Sequence, residues 1–250
     1  MKSTAGWLKL RAGPLFAGKT VGFVPTMGAL HEGHLSLLRR ARRENELTAA
    51  SIFVNPAQFN DPRDLERYPR TLAGDIEKLE KAKTDFLLLP RAREMYPDGY
   101  RYRLNETVES GALCGAHRPG HFEGVLTVVL KLLNLVRADR AYFGEKDFQQ
   151  YHLIKEMAEA FFTGTKIVPC PTLREADGLA MSSRNLLLEP EHRELAPALY
   201  KALRSSVRPA EIKKRLVALG FQPDYVEERW GRRFVAAKLG NVRLIDNVKL

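Results

Sequence analysis

Cysteine is nearly absent: Cys114 and Cys170 are all that the 250 residues contain, so no disulfide framework exists. The spacing Cys114-x-x-His117-x-x-x-His121 sets three potential N and S ligands close together, but a structural zinc site needs four, and the other cysteine is isolated in PCP. Both thiols therefore read as reduced side chains in small apolar sites. Long apolar runs are missing as well. The N-terminal MKSTAGWLKLRAG has none of the length a signal peptide requires, and the most apolar window, 125–136, is short and interrupted by Lys131. The expectation is a cytoplasmic protein with no membrane partner. Internal repeats, low-complexity tracts, an RNP-like aromatic set and a zinc finger are also lacking, which leaves nucleic-acid binding with little beyond bulk charge to support it.

What is present is ordinary for a folded chain, 44% hydrophobic and 28% charged, enough for one or two cores. The net charge of +10 is unevenly spread: residues 201–250 hold 12 Lys or Arg against 5 Asp or Glu, a net of +7. Such an excess suits any polyanion, including a nucleotide triphosphate.

Hydrophobic periodicity predicts strands at 21–26, 48–55, 86–90 and 166–171 and a strand running into a loop at 141–147, alternating with helices near 34–45, 61–83 (broken at Pro69), 124–138 and 148–162. Alternation of this kind implies a parallel sheet with helices on both faces, with ligands beyond the C-terminal strand ends. After about residue 172 the character changes to a polar loop, two basic helices (190–206 and 209–219) and short strand-like runs such as FVAAK and VRLID. The predicted fold is α/β: a Rossmann-like domain over 1–172 and a small basic α+β domain over 173–250.

GPLFAGKT (13–20) satisfies the P-loop pattern, but that mechanism needs a strand before the loop and a helix opening at the lysine. Here WLKLRAG precedes it, a weak strand at best, and β-prone VGFVP follows, so the match is rejected. The loop after the first strand, Pro25 to His34, is a better phosphate site. His31 and His34 sit at a helix start, and Gly28 and Gly33 allow close backbone approach. HEGH has the wrong spacing for a zinc helix motif. Asn55 and Gln58 share the same rim and offer amide donors and acceptors to a hydroxylated or carboxylate substrate. Phe143–Asp147 with Gln149 and Gln150 adds a cation and an amide, and Met181–Asn185 adds hydroxyls and a guanidinium suited to phosphates.

In order, PTMGALHEGHLSL, FVNPAQF, RYPRT, MYPDG, RPGHFEGVLTVVLKLLN, FGEKDFQQ and READGLAMSSRN resemble the signature blocks of the pantothenate synthetases. These are the pantoate-β-alanine ligases of coenzyme A biosynthesis. The resemblance runs from Val21 to Asn185 and resumes at LGNVRLIDNV. It implies the HxGH nucleotidyltransferase superfamily, a small C-terminal lid, a homodimer, and ATP with Mg²⁺. It further implies that Met27, Gly28, Ala29, Leu30, His31, Glu32, Gly33 and His34 bind ATP, joined by Gly144, Glu145, Lys146, Asp147, Leu173, Met181, Ser182, Ser183 and Arg184. His34 is the implied catalytic residue, with His31, Lys146 and Arg184 supplying further donors and charge. Gln58, Gln150, Arg118 and Asn55 fall at pantoate positions, and Gln58 also at a β-alanine position. Two departures stand out: Gly74-Asp75 replaces an acidic pair near the metal, leaving Asp75 as the candidate ligand, and the segment from Asn185 to LIDNV is shorter than expected.

Overall fold

The structure is a computed structural model describing residues 3–250. The chain forms two compact units, one comprising the chain up to Gly144 with Gln149–Cys170, the other Glu145–Phe148 with Pro171–Leu250.

The first unit is built on five parallel strands: β1 (Val21–Thr26), β2 (Leu47–Ile52), β3 (Phe86–Leu88), β4 (Arg140–Gly144) and β5 (Lys166–Cys170), in the order β3-β2-β1-β4-β5. Val21 and Leu47 begin the β1–β2 register, and β1 pairs with β4 on its other side. The order reverses between β1 and β4, where ligands of open parallel sheets bind. Its helices are α1 (Thr4–Arg11), α2 (Glu32–Glu44), α3 (Pro62–Arg67), α4 (Leu72–Lys81), α5 (Ala92–Met95), α6 (Cys114–His117), α7 (His121–Val136) and most of α8 (Phe148–Ala160). One face packs Val24, Ala50, Tyr142 and Val168 against Leu37, Leu38 and Ala41 of α2 and Leu79 of α4. Helix α7 covers β1 from the other face, with α1 against it. In the α2 core, Tyr142 accepts from Asn45 at 2.7 Å and donates to Glu44 at 2.9 Å. Burial pushes its phenol up to about 12, so it remains neutral.

Helix α1 corrects the reading of WLKLRAG as a weak strand. Ser3 caps the helix by accepting from Gly6 at 3.1 Å. Trp7, 0% exposed, donates its indole N–H to Leu135 O at 2.9 Å. A tertiary anchor thus overrides weak local propensity. GPLFAGKT forms a 3₁₀ turn at Pro14–Phe16 and leads into β1, with no helix at Lys19. Pro69 separates α3 from α4, as its position predicted.

The second unit contains a three-stranded antiparallel meander, β6 (Gln222–Arg229), β7 (Arg232–Leu239) and β8 (Val242–Lys249). Trp230 (φ 49°) and Gly231 (φ 65°) form a two-residue connection with the left-handed pair that suits strand twist. Helices α9 (Pro190–Leu195), α10 (Ala198–Leu203) and α11 (Pro209–Ala218) complete it. The core joins Leu199, Leu203, Ile212 and Leu216 to Val235, Ala237, Leu239 and Leu244. The single helix expected over 190–206 is two, divided at Pro197. Strand β6 was not foreseen because a bulge between Pro223 and Tyr225 breaks its alternation.

The division of the chain falls between Cys170 and Pro171, and residues 145–148 group with the second unit although their sequence position suggested the first. Side chains explain this grouping. Asn247 donates to Glu145 O (2.8 Å) and Lys146 O (3.0 Å), Arg232 pairs with Glu145 at 2.5 Å, and Phe148 packs near Trp230 and Phe234.

Candidate active site

The loop from β1 to α2 takes a left-handed turn at Gly28 (φ 86°) and again at Ala29 (φ 49°). For alanine this conformation costs about 1–2 kcal/mol, so it persists only where its surroundings hold it. Helix α4 does so with both charges. Asp75, 1% exposed, accepts from Ala29 N at 2.9 Å, Leu30 N at 2.7 Å and the Thr71 hydroxyl at 3.2 Å. Three residues on, Lys78 donates to Leu30 O at 2.6 Å. Asp75, implied as a metal candidate, is therefore positioned as a brace for loop backbone. Among the described residues no group of three or more His, Cys, Asp or Glu could hold a metal ion.

His31 caps α2: its Nδ1 accepts from Gly33 N at 3.1 Å, while His34 Nδ1 accepts from His31 N at 3.4 Å. An imidazole nitrogen that accepts an N–H carries no proton, so in each neutral ring the proton belongs to Nε2. The ring centroids are 4.1 Å apart. Two imidazole donors and the helix N-terminus consequently share one anion-friendly corner, with Met27, Gly28, Leu30, Glu32 and Gly33 in the same loop and first turn.

The loop after β2 includes Asn55, also 1% exposed. Its amide nitrogen donates to Gln58 Oε1 and Gly124 O, each at 3.1 Å, and its oxygen accepts from Tyr96 Oη at 2.6 Å and Ala57 N at 3.3 Å. Every hydrogen-bonding position of this amide is taken within the protein. Gln58 is half-buried, and its Nε2 lies 3.3 Å from Met27 Sδ, joining the β1 and β2 loops. Its backbone oxygen receives His121 Nδ1 at 2.8 Å and Arg118 Nη2 at 3.3 Å, while Arg118 Nη1 lies 3.1 Å from His121 Nε2. His121, flanked by a carbonyl and a guanidinium, carries its proton on Nδ1 when neutral. Gly124 permits the close approach of α7, because a Cβ there would lie 2.3 Å from Ala57 O.

The adjacent glutamines of α8 differ. Gln149 is buried, donating to Glu109 O and Ala112 O at 3.2 and 2.8 Å and accepting from Cys114 N at 3.1 Å. Gln150 is half-buried.

The second unit carries Glu145, Lys146, Asp147, Leu173 and Met181–Arg184. Lys146 lies 3.6 Å from Asp147. Residues 173–181 form a tight reversal: Met181 N donates to Leu173 O at 3.0 Å, and Glu175 N donates to Leu179 O at 2.8 Å. Ser182 caps the following turn by accepting from Arg184 N at 3.2 Å, and Ser183 is buried. Beneath the reversal Arg174 binds both oxygens of Asp246 (2.6 and 2.9 Å) and lies 3.5 Å over the Tyr200 ring. Arg232 and Arg233 are likewise buried and paired. Part of the basic excess is thus internal structure.

Tyr96, His121, Gly124 and Asn247 had no role from sequence alone, although all four lie inside blocks that carried the resemblance. Their roles depend on partners 41, 63 and 102 residues away for Tyr96, His121 and Asn247, which no local pattern displays.

Comparison with known proteins places the chain in a family. A family model described as pantoate-beta-alanine ligase matches residues 5–249. The chain is 59% identical to the pantothenate synthetase of Bdellovibrio bacteriovorus over 231 residues, covering 92% of each protein. It is 49% identical to that of Legionella pneumophila (strain Corby) over 244 residues, covering 98% of this chain and 96% of the relative. These coverages remove the apparent shortening after Asn185 as a departure from such relatives. A Francisella tularensis pantoate-beta-alanine ligase, solved in complex with beta-gamma ATP and beta-alanine, superposes with a TM-score of 0.95 at 41% identity, covering 100% of this chain and 96% of that one. A whole-chain family match, these identities and the shared fold lead to one conclusion: the chain belongs to the pantoate-β-alanine ligase family.

Proposed function

We propose that this protein condenses pantoate with β-alanine at the expense of ATP, giving pantothenate, AMP and pyrophosphate through a pantoyl-adenylate intermediate. The family match over residues 5–249 is the observation that carries the reading. In the first step a pantoate carboxylate oxygen attacks the α-phosphorus; an O–P bond forms, the bond to the bridging oxygen breaks, and pyrophosphate leaves. The amine of β-alanine then attacks the acyl carbon, the acyl–oxygen bond breaks, AMP departs with the electron pair, and the amine proton passes to solvent. No protein nucleophile is required, so the protein contributes alignment and neutralisation of developing charge.

His34 is the proposed catalytic residue, donating Nε2–H to phosphate oxygen, with His31, Lys146 and Arg184 adding donors and charge. ATP is proposed to engage Met27–His34, Gly144–Asp147, Leu173 and Met181–Arg184. Pantoate falls to Gln58, Gln150 and Arg118, with Asn55 behind Gln58, and Gln58 also serves β-alanine. Mg²⁺ fits this residue set as an ion carried on the triphosphate, because Asp75 is engaged by loop donors. When bound it neutralises phosphate charge. A homodimer in the cytoplasm is the proposed working form; among the described residues no helix is long and apolar enough to cross a membrane.

The test is to incubate the purified protein with ATP, Mg²⁺, pantoate and β-alanine and to follow nucleotide products. AMP and pyrophosphate should appear only with pantoate. ADP, or turnover indifferent to pantoate, overturns the reading. A dinucleotide product would mark a plain nucleotidyltransferase, and tight, salt-dependent nucleic-acid binding unaffected by ATP would assign the basic second unit elsewhere.

A further inference from the structure

A carboxamide presents either its oxygen or its NH₂ to a ligand, and the two ends have opposite polarity. At Gln58 the choice is made by a relay. Tyr96 Oη donates to Asn55 Oδ1 at 2.6 Å, and Asn55 Nδ2 donates to Gln58 Oε1 at 3.1 Å. Asn55 cannot reverse without cost, because its oxygen also takes Ala57 N (3.3 Å) and its nitrogen also serves Gly124 O (3.1 Å). A flipped amide would face NH₂ to N–H at one end and oxygen to oxygen at the other, leaving buried groups unsatisfied. With Gln58 Oε1 held by Asn55, the end turned to a substrate is its NH₂, whose second proton remains beside the weak acceptor Met27 Sδ at 3.3 Å, and an NH₂ selects an oxygen acceptor.

We propose that Tyr96 is a positioning residue for the acid substrate: through Asn55 it fixes Gln58 with its NH₂ outward, so that the protein selects a substrate bearing a carboxylate or hydroxyl oxygen at that point. This rests on Gln58 being a pantoate residue. Tyr96 suits the task. Its ring is held near Phe53 and, at 5.0 Å and nearly perpendicular, against Tyr100. Lys131, which lies 5.2 Å from the ring centroid, is tied to Met95 O at 2.9 Å. Burial also pushes the phenol above its usual range, so it stays a donor throughout the neutral region. The relay closes on α7, where Gly124 lets helix and loop meet.

The experiment is steady-state kinetics with each substrate varied in turn, on Tyr96→Phe, Asn55→Asp and Gln58→Ala, together with thermal unfolding. Tyr96→Phe removes one hydrogen bond and should raise the KM for pantoate about tenfold, leaving the KM for ATP within about twofold and the midpoint within a few degrees. Asn55→Asp puts oxygen against Gln58 Oε1, forces Gln58 to turn its own oxygen outward, and should raise the pantoate KM by about a hundredfold. Gln58→Ala tests the underlying site. If it leaves the pantoate KM unchanged, the assignment of Gln58 fails and the relay with it. If Gln58→Ala raises that KM and Tyr96→Phe does not, the relay alone is overturned. A Tyr96→Phe effect spread equally over ATP, pantoate and the unfolding midpoint also overturns it, since that is what a purely structural tyrosine would give.

Discussion

Two loops, each in its own unit of the chain, are held in different ways. The turn at residues 27–31 is shaped from outside: Asp75 and Lys78, from a helix more than forty residues later, bind its backbone donors and one carbonyl. The turn at 181–187 carries bonds of its own, in the Ser182 cap and in the Asn185 amide, which donates to Ala180 O at 3.1 Å, and it also lies against β8. The long-range support of that second turn lies one step back, in the Arg174–Asp246 pair. A loop that contains left-handed alanine needs outside force to stay in place. One that follows ordinary capping chemistry carries more of its own support.

The sharpest way to break this contrast is Asp246→Ala. It leaves the Arg174 guanidinium without its carboxylate and should cost the second unit about 3–5 kcal/mol, read as faster amide hydrogen exchange in β7 and β8 and a lower denaturant midpoint. His34→Ala should slow adenylate formation by about 3 kcal/mol in the barrier while the circular dichroism spectrum stays unchanged. An equal loss of folded signal would mean that the ring serves as a cap and little else. Asp75→Asn sets an NH₂ against a loop N–H and should destabilise the first unit by about 2 kcal/mol. It should raise the KM for ATP without altering the Mg²⁺ dependence at saturating nucleotide; a shift confined to Mg²⁺ would restore Asp75 as a metal ligand. Smallest of all, Lys19→Ala lies on exposed chain and should change stability by less than about 0.5 kcal/mol and kinetics not at all. A large effect there would reopen the P-loop reading of GPLFAGKT.

The same contrast explains what could be read beforehand. The strand–helix alternation, the break at Pro69 and the helix opening at the two histidines are periodic or local features, and they were legible. Helix α1 was not, because Trp7 is anchored by Leu135 and nothing near it in sequence announces that partner. Strand β6 was hidden by its bulge. Asp75 was visible as an acid but not as a brace, since a carboxylate that binds peptide N–H groups has the same letter as one that binds a cation. Tyr96 and His121 stood within recognisable motifs, yet their work lies in the partner each touches across the fold.

Asn247 grips the carbonyls of Glu145 and Lys146 across separations of 102 and 101 residues. During synthesis at about 5–20 residues per second, the peptide around Lys146 is made roughly 5–20 s before the side chain that fixes it. The first sheet can form while that stretch is still slack. The placement of Lys146 is therefore a property of a nearly finished polypeptide, and a nascent chain stalled before residue 247 lacks this clasp.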